Sequence, residues 1–160
     1  MQGPIVAGTD GSEASRRAVA EAGALAEHSG SRGLVVFVLR MGFGAAASAF
    51  SVSAVGPLKE CVEADQTVAQ AQAIAELDAR GVPWEFVVRE GQPATELMRV
   101  ATDHGADTIV VAGRRHGAMG NFTHAAVTAN LLHRWPHSLF VVRPPESTPA
   151  QPQDEIHAPQ

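Results

Sequence analysis

Ile109-Val110-Val111-Ala112 is apolar without interruption and mostly β-branched, and that pattern leaves few folds open. A strand with one wet face alternates apolar and polar residues. A strand with no polar residue must be covered on both faces, as in a parallel sheet sandwiched between helices. The run ends abruptly in glycines at 113, 117 and 120, after which a helical pattern begins. A strand, a glycine turn and a helix start together present unpaired backbone N–H groups and the positive end of a helix, which suits an anion. Arg114, Arg115 and His116 add positive side chains in the same turn. The functional reading is a phosphate or nucleotide site. The plain alternative is an ordinary strand-to-helix turn with solvated arginines.

The rest of the chain repeats the same unit. Pro4 to Thr9 reads as a short first strand, and Asp10-Gly11-Ser12 as the turn after it. Ser12 is a good N-cap and Glu13 suits the first turn of the helix that follows. Ala18, Ala22, Leu25 and Ala26 recur at helical spacing, and Gly30 and Gly33 bracket the exit. Residues 33–40 form a second apolar strand ending at Arg40, which makes the opening a right-handed β-α-β unit. Residues 41–58, rich in Gly, Ala and Ser, break the pattern and read as a loop covering a site or moving over it. A helix is expected from Glu60 to about Ala79, with Cys61, Ala64, Val68, Ala71 and Ala75 on its inner face. Trp84 to Arg89 is a third strand whose early residues alternate, as near a sheet edge. Pro93 sits where a first helical position is wanted, with Ala94, Leu97, Met98 and Ala101 facing inward. The strand at 107–112 follows. Thr128, Leu131, Leu132 and Trp135 then keep a helical period until Pro136, and Ser138 to Arg143 is the last strand. Residues 144–160 hold five of the ten prolines and read as a disordered tail after a domain covering 1–144.

Five strands alternating with four helices define an α/β fold, a doubly wound five-stranded parallel sheet with helices on both faces. Such sheets bind ligands beyond the carboxyl ends of their strands, where the strand order reverses. Asp10, Arg40 and Gly113 stand at such ends. Asp10 has three readings: holding a ribose hydroxyl, holding a metal, or capping the first helix.

Composition narrows the function. At 160 residues and 45% apolar content the chain suits one globular domain. Seventeen acidic residues against twelve basic ones, with no Lys/Arg run, argue against nucleic acid as the main partner. Cys61 is the only cysteine, which leaves no intrachain disulfide and no cysteine metal cage. No leader pattern and no stretch of about 18 apolar residues is present, so a soluble, cytoplasmic protein without a membrane partner is expected. The histidines lack ligand spacing, since Pro136 separates His133 from His137, and no metal site is expected. Ser12 and Ser15 lack a Gly-x-Ser-x-Gly elbow, and neither a phosphate-binding Gly-x4-Gly-Lys-(Ser/Thr) loop nor Gly-x-Gly-x-x-Gly occurs. No catalytic residue is expected.

Four segments in order carry a resemblance. They are Ile5-Val6-Ala7-Gly8-Thr9-Asp10-Gly11-Ser12-Glu13-Ala14-Ser15, Val88-Arg89-Glu90-Gly91-Gln92-Pro93-Ala94, Gly105 to Gly117, and Ser138-Leu139-Phe140-Val141-Val142-Arg143-Pro144. Together they resemble the universal stress protein family across residues 4–144. The resemblance implies a Rossmann-like, adenine nucleotide hydrolase-like domain that dimerises through its last strand, here Ser138 to Arg143. It implies two kinds of member, one that binds ATP and one that does not. Binders carry Gly-x2-Gly-x9-Gly-(Ser/Thr) after the fourth strand. Gly113 matches the first glycine, but the second position is His116, with Gly117 one place late. The closing pair falls at Ala126-Val127 counted from Gly113, at Ala125-Ala126 counted back from the last strand, or at Val127-Thr128 counted from Gly117. No register restores the second half.

The expected function is therefore a small dimeric universal stress protein, a regulatory or binding module with a degraded ATP motif, an unknown protein partner and no metabolic reaction of its own. The alternative is a member that still binds ATP or another adenine nucleotide with Mg, hydrolysing it slowly at most. Its candidate cofactor-binding residues are Asp10, Arg40, Gly113, Arg114, Arg115, His116, Gly117 and Thr128.

Overall fold

The computed structural model describes residues 3–40, 55–113 and 122–143. In chain order these give β1 (Ile5–Thr9), α1 (Glu13–Ser29), β2 (Gly33–Arg40), α2 (Val55–Asp78), β3 (Trp84–Gly91), α3 (Pro93–Asp103), β4 (Thr108–Ala112), α4 (Phe122–Arg134) and β5 (Ser138–Val142). All pairings are parallel, and the sheet order is β3-β2-β1-β4-β5. The expected alternation and the doubly wound sheet are therefore present, with β3 at an edge as its alternating residues suggest. β1 is central: the chain leaves it towards β2 and β3 on one side, then returns to its other side with β4 and β5.

Alternation along each strand separates two cores. Ile5, Ala7, Val35, Val110 and Ala112 face α1 and α2, meeting Ala18, Val19, Ala22, Ala26, Ala73 and Leu77. Val6, Leu34, Val36, Val87, Ile109 and Val111 face the other way, against Ala94, Leu97, Val100 and Ala101 of α3 and Leu131 of α4. Each run that is apolar throughout is thus a strand with a helix layer on both sides. Local signals end the helices as expected. Ser12 caps α1, Gly30 closes it at φ 65°, Pro93 opens α3, and α4 stops two residues before Pro136.

Two expectations fail on α2. The helix begins at Val55, so residues 55–58 of the expected loop are helical, while 41–54 lie outside the described residues. Its buried face is Ala69, Ala73 and Leu77, whereas Ala64, Val68, Ala71 and Ala75 are exposed. Alanine and other apolar residues lie almost all round this helix, so the period alone does not choose a face. The choice comes from shape: a Cβ at Gly23 of α1 would lie 2.8 Å from Leu77 Cδ2, so the two helices meet where α1 has no side chain. In α4, Leu131 is buried, whereas Leu132, which keeps the same helical period, is exposed. The fourth strand starts one residue later than expected, at Thr108, and the third runs on to Gly91. Residues 144–160, including the expected tail, lie outside the described residues.

Leu77 is 1% exposed and Val68 48%, which sets a direct check of the buried face. Leu77→Ala is expected to cost about 2–5 kcal/mol in denaturant unfolding, and Val68→Ala no more than about 0.5 kcal/mol.

Candidate functional site

The turn after β1 is built from its own hydroxyls. Thr9 Oγ1 and Ser15 Oγ lie 3.1 Å apart, and the Ser15 hydroxyl donates to the Ser12 carbonyl at 2.9 Å. The backbone N–H of Gly11 donates to Thr9 Oγ1, that of Ser12 to Asp10 Oδ1 at 3.1 Å, and that of Ser15 to Ser12 Oγ at 3.2 Å. Side chains thus satisfy N–H groups that a strand-to-helix turn otherwise leaves open. Gly11 is required twice over: its φ is 80°, and a Cβ there would lie 2.9 Å from the Asp65 carbonyl oxygen of α2. From α2, Gln72 Nε2 also donates to the Gly11 carbonyl at 3.0 Å, which pins the turn from above.

Charges hold the same corner. Arg16 bridges Glu13 at 2.8 Å and Glu76 of α2 at 2.5 Å, and Arg80 joins Glu76 at 3.3 Å. Hydrogen bonds from the Arg16 and Arg17 side chains hold the Glu13 carboxyl down from 4.5 to about 2.

Beyond the carboxyl ends of β1, β2 and β4 lies a cavity of about 110 Å³. It stands at the reversal in strand order, on the side of the sheet that carries α3 and α4. Gly8 and Val111 form its floor, Val36 and Val38 its β2 wall, and Pro93, Leu97 and Val127 close it from the helices. A Cβ at Gly8 would be 3.1 Å from Leu97 Cδ1 and 3.3 Å from Val111 Cγ1, so a larger residue would tighten that floor. Asp10 and Arg40 are the charged residues of the lining among the described residues. At about 110 Å³ the cleft is smaller than the roughly 150 Å³ cavities that enclose benzene, so it encloses only part of a ring. The remainder of any larger ligand must sit at the charged rim.

The structure brings together Asp10 and Arg40 from the sequence candidates. Asp10 has a structural task as well, because its carboxylate accepts the Ser12 N–H while Ser12 itself caps α1. Thr128 lies on α4 directly after the lining residue Val127, and its Oγ1 is buried with no hydrogen-bond partner among the described residues. Gly113 has a different reason to be glycine from the one its motif suggests. A Cβ there would meet Val141 Cγ1 at 2.8 Å and Arg143 Cγ at 3.2 Å, and its N–H donates to the Val142 carbonyl at 2.7 Å. It docks β5. Arg114, Arg115, His116 and Gly117 lie outside the described residues. Sequence reasoning missed Ser15, Gly8, Pro93 and the Val36-Val38 wall as site residues. The wall had a signal, since Val36, Val38 and Arg40 alternate along one strand face. Among the described residues, no three His, Cys, Asp or Glu side chains are grouped to hold a metal ion. Nor is any helix of the described residues long and apolar enough to cross a membrane.

Two outcomes follow from this geometry. Gly113→Ala is expected to lower stability by about 1–3 kcal/mol through overpacking, with hydrogen exchange quickening along β5. A depressed carboxyl group stabilises above its unfolded value and loses that contribution as pH falls through its folded one. Glu13 therefore contributes fully above its ordinary 4.5 and loses this as pH drops to about 2. Glu13→Gln should lower stability at neutral pH and flatten the acid side of the stability profile between about 4.5 and 2, with the slope above 4.5 unchanged.

Known proteins agree with this architecture. The sequence profile of the universal stress protein family matches residues 1–143. No curated protein matches the sequence. Among solved structures, the universal stress protein UspA from Lactobacillus plantarum is 19% identical with a TM-score of 0.66, covering 89% of this chain and 99% of its own. A universal stress protein in complex with cAMP is 22% identical, TM-score 0.65, covering 89% and 97%. The universal stress protein from Archaeoglobus fulgidus in complex with dAMP is 16% identical, TM-score 0.63, covering 86% and 95%. At such identities the structural likeness shows the fold. The profile match, spanning nearly the whole chain, shows the family: the chain belongs to the universal stress proteins.

Proposed function

We propose that this chain is a cytoplasmic binding module of the stress response that holds an adenine nucleotide and carries no metabolic reaction of its own. The observation that carries the reading is the cavity beyond β1, placed where the strand order reverses and apolar inside with a charged rim. The ring of an adenine fits the chemistry of Gly8, Val36, Val38 and Val111, and Asp10 at the rim is an acceptor suited to a ribose hydroxyl. Relatives in complex with cAMP and dAMP support the same class of ligand.

A regulatory role is preferred over catalysis on two grounds. The hydroxyls of the cavity lining, Thr9 and Ser15, are bound to one another and to Ser12 inside the turn. The second half of the triphosphate motif is replaced by Ala126-Val127 or its neighbours. Any Mg would arrive with a nucleotide's phosphates rather than in a site of its own.

The same reading takes the protein as a homodimer joined through β5. That strand ends the sheet, and Phe140 is 41% exposed on it. An edge strand with an exposed aromatic suits pairing with a second copy.

Freshly purified protein, denatured and analysed by mass spectrometry, is expected to release an adenine nucleotide. Calorimetry on the emptied protein should then give micromolar affinity without accumulation of inorganic phosphate. An empty protein that gives no heat up to millimolar AMP, cAMP and ATP would overturn the nucleotide reading. Sedimentation equilibrium is expected to give twice the chain mass, falling to one chain mass in Phe140→Glu with an unchanged far-UV spectrum.

A further inference from the structure

The sheet has a second edge, β3, which is longer than β5 and runs from Trp84 to Gly91. The Gly33 N–H donates to the Pro83 carbonyl, so the backbone groups of residues 83, 85, 87 and 89 turn towards β2. Those of Trp84, Phe86, Val88 and Glu90 alternate away from the sheet and form an open ladder. Side chains alternate as well. Val87 packs on the α3 side between the exposed Glu85 and Arg89, while Trp84, Phe86 and Val88 take the α2 side, half-buried. Glu85 reaches Arg32 at 3.5 Å and keeps its side chain 55% exposed. Arg89 folds back on its own strand and donates to the outward Val88 carbonyl at 3.2 Å.

Charges on an edge strand ordinarily keep other strands away. These two have opposite signs and flank Val87 symmetrically, two residues to each side. Laid antiparallel on a copy of itself about Val87, the strand sets Glu85 opposite Arg89 of the second copy, twice over by symmetry. On the other face Phe86 meets Val88 of the second copy. The outward backbone groups belong to Phe86 and Val88, so that pair exchanges its hydrogen bonds. The Glu85–Arg89 pair then falls at the narrow, non-hydrogen-bonded positions, where side chains come closest. A parallel pairing in register would instead oppose like charges at both places. We infer that the β3 edge is a second self-association surface, joining two copies as antiparallel strands centred on Val87. Ile74 of α2 supports this, because it is 45% exposed one turn before Asp78, which accepts from Trp84 Nε1 at 2.6 Å. That flank of α2 stands over β3, and a second copy brings its own α2 alongside to cover Ile74. The contact goes beyond the β5 dimer proposed above. Being confined to one strand edge and one helix flank, it is small and weaker than a standard interface, so it forms at higher concentration.

The test is sedimentation equilibrium on the full chain carrying Phe140→Glu, so that pairing through β5 does not mask the other edge. This background is expected at one chain mass when dilute and to approach twice that mass at about 0.1–1 mM. Arg89→Glu or Glu85→Arg, added singly, changes both cross-strand pairs at once and should weaken the association about tenfold or more. An equimolar mixture of the two variants should associate at least as well as the background, because an all-acidic edge then meets an all-basic one. Added salt should weaken both the background and the mixed pair. Unchanged far-UV spectra are expected, since both side chains are exposed. A background chain that keeps one chain mass throughout would overturn the inference. So would single variants that associate like the background, or a mixture that fails to associate. If the background holds twice the chain mass even when dilute, the β5 reading fails. Loss of that mass in Arg89→Glu would then assign the dimer to β3, and its persistence would sink the β3 pairing as well.

Discussion

Everything in this domain depends on β1 being covered on all sides. Both of its hydrogen-bonding edges are taken, by β2 and by β4, and both faces are sealed by helices. A five-residue strand so placed has no room for a polar side chain until Thr9, whose hydroxyl is absorbed at once by Ser15 and the turn. The chain can cover both faces only by leaving β1 in one direction first and the other later. That reversal leaves a gap between the outgoing connections at the carboxyl ends, and the cavity occupies it. The cavity follows from closing the core, with no separate element built for it.

Strand length then shapes the site. If β2 stopped level with β1, the gap would be a shallow notch. Its three extra residues, supported by pairing to β3, convert one side into a wall and lift Arg40 to the rim. On the other side β4 ends at Ala112, and Gly113 turns away under β5, with its missing side chain filled by Val141 and Arg143. A residue that a phosphate motif would claim is thus held by packing. Retention of that glycine carries less information about ligand binding than its motif position suggests.

The seam between α1 and α2 fixes the remaining side. Gly23 lets Leu77 approach, Gly11 lets the α2 backbone approach, and Arg16 ties Glu13 to Glu76 across the two helices. Because Gln72 also holds the Gly11 carbonyl, α2 restrains the loop that carries Asp10. The acid at the rim is positioned from three directions: its own strand, the cap of α1 and the body of α2. Each of these contacts is short-range in space and long-range in sequence, with Arg16 and Gln72 reaching across some sixty residues.

Much of this was legible in the residues themselves. Apolar runs without alternation marked β2 and β4 as doubly covered, the alternation in Trp84 to Val87 marked an edge, and Ser12, Gly30, Pro93 and Pro136 set helix ends by local conformational energetics. The doubly wound reading placed Asp10, Arg40 and Gly113 at strand ends. The inner face of α2 was not legible, because alanines nearly all round a helix make its faces almost equal in burial energy until a neighbour offers a gap. The start of α2 at Val55 was hidden for a related reason, since Gly, Ala and Ser suppress the apolar period that marks a helix. The sequence by itself determined the alternation, the parallel sheet and the chemistry at the strand ends, all of which are local or periodic properties. Only the tertiary structure decided that Gly113 serves β5, that Val36, Val38 and Arg40 make one wall, and that Gly8 lies beneath it. Those facts depend on register and stagger between strands far apart in the chain, which no single segment encodes.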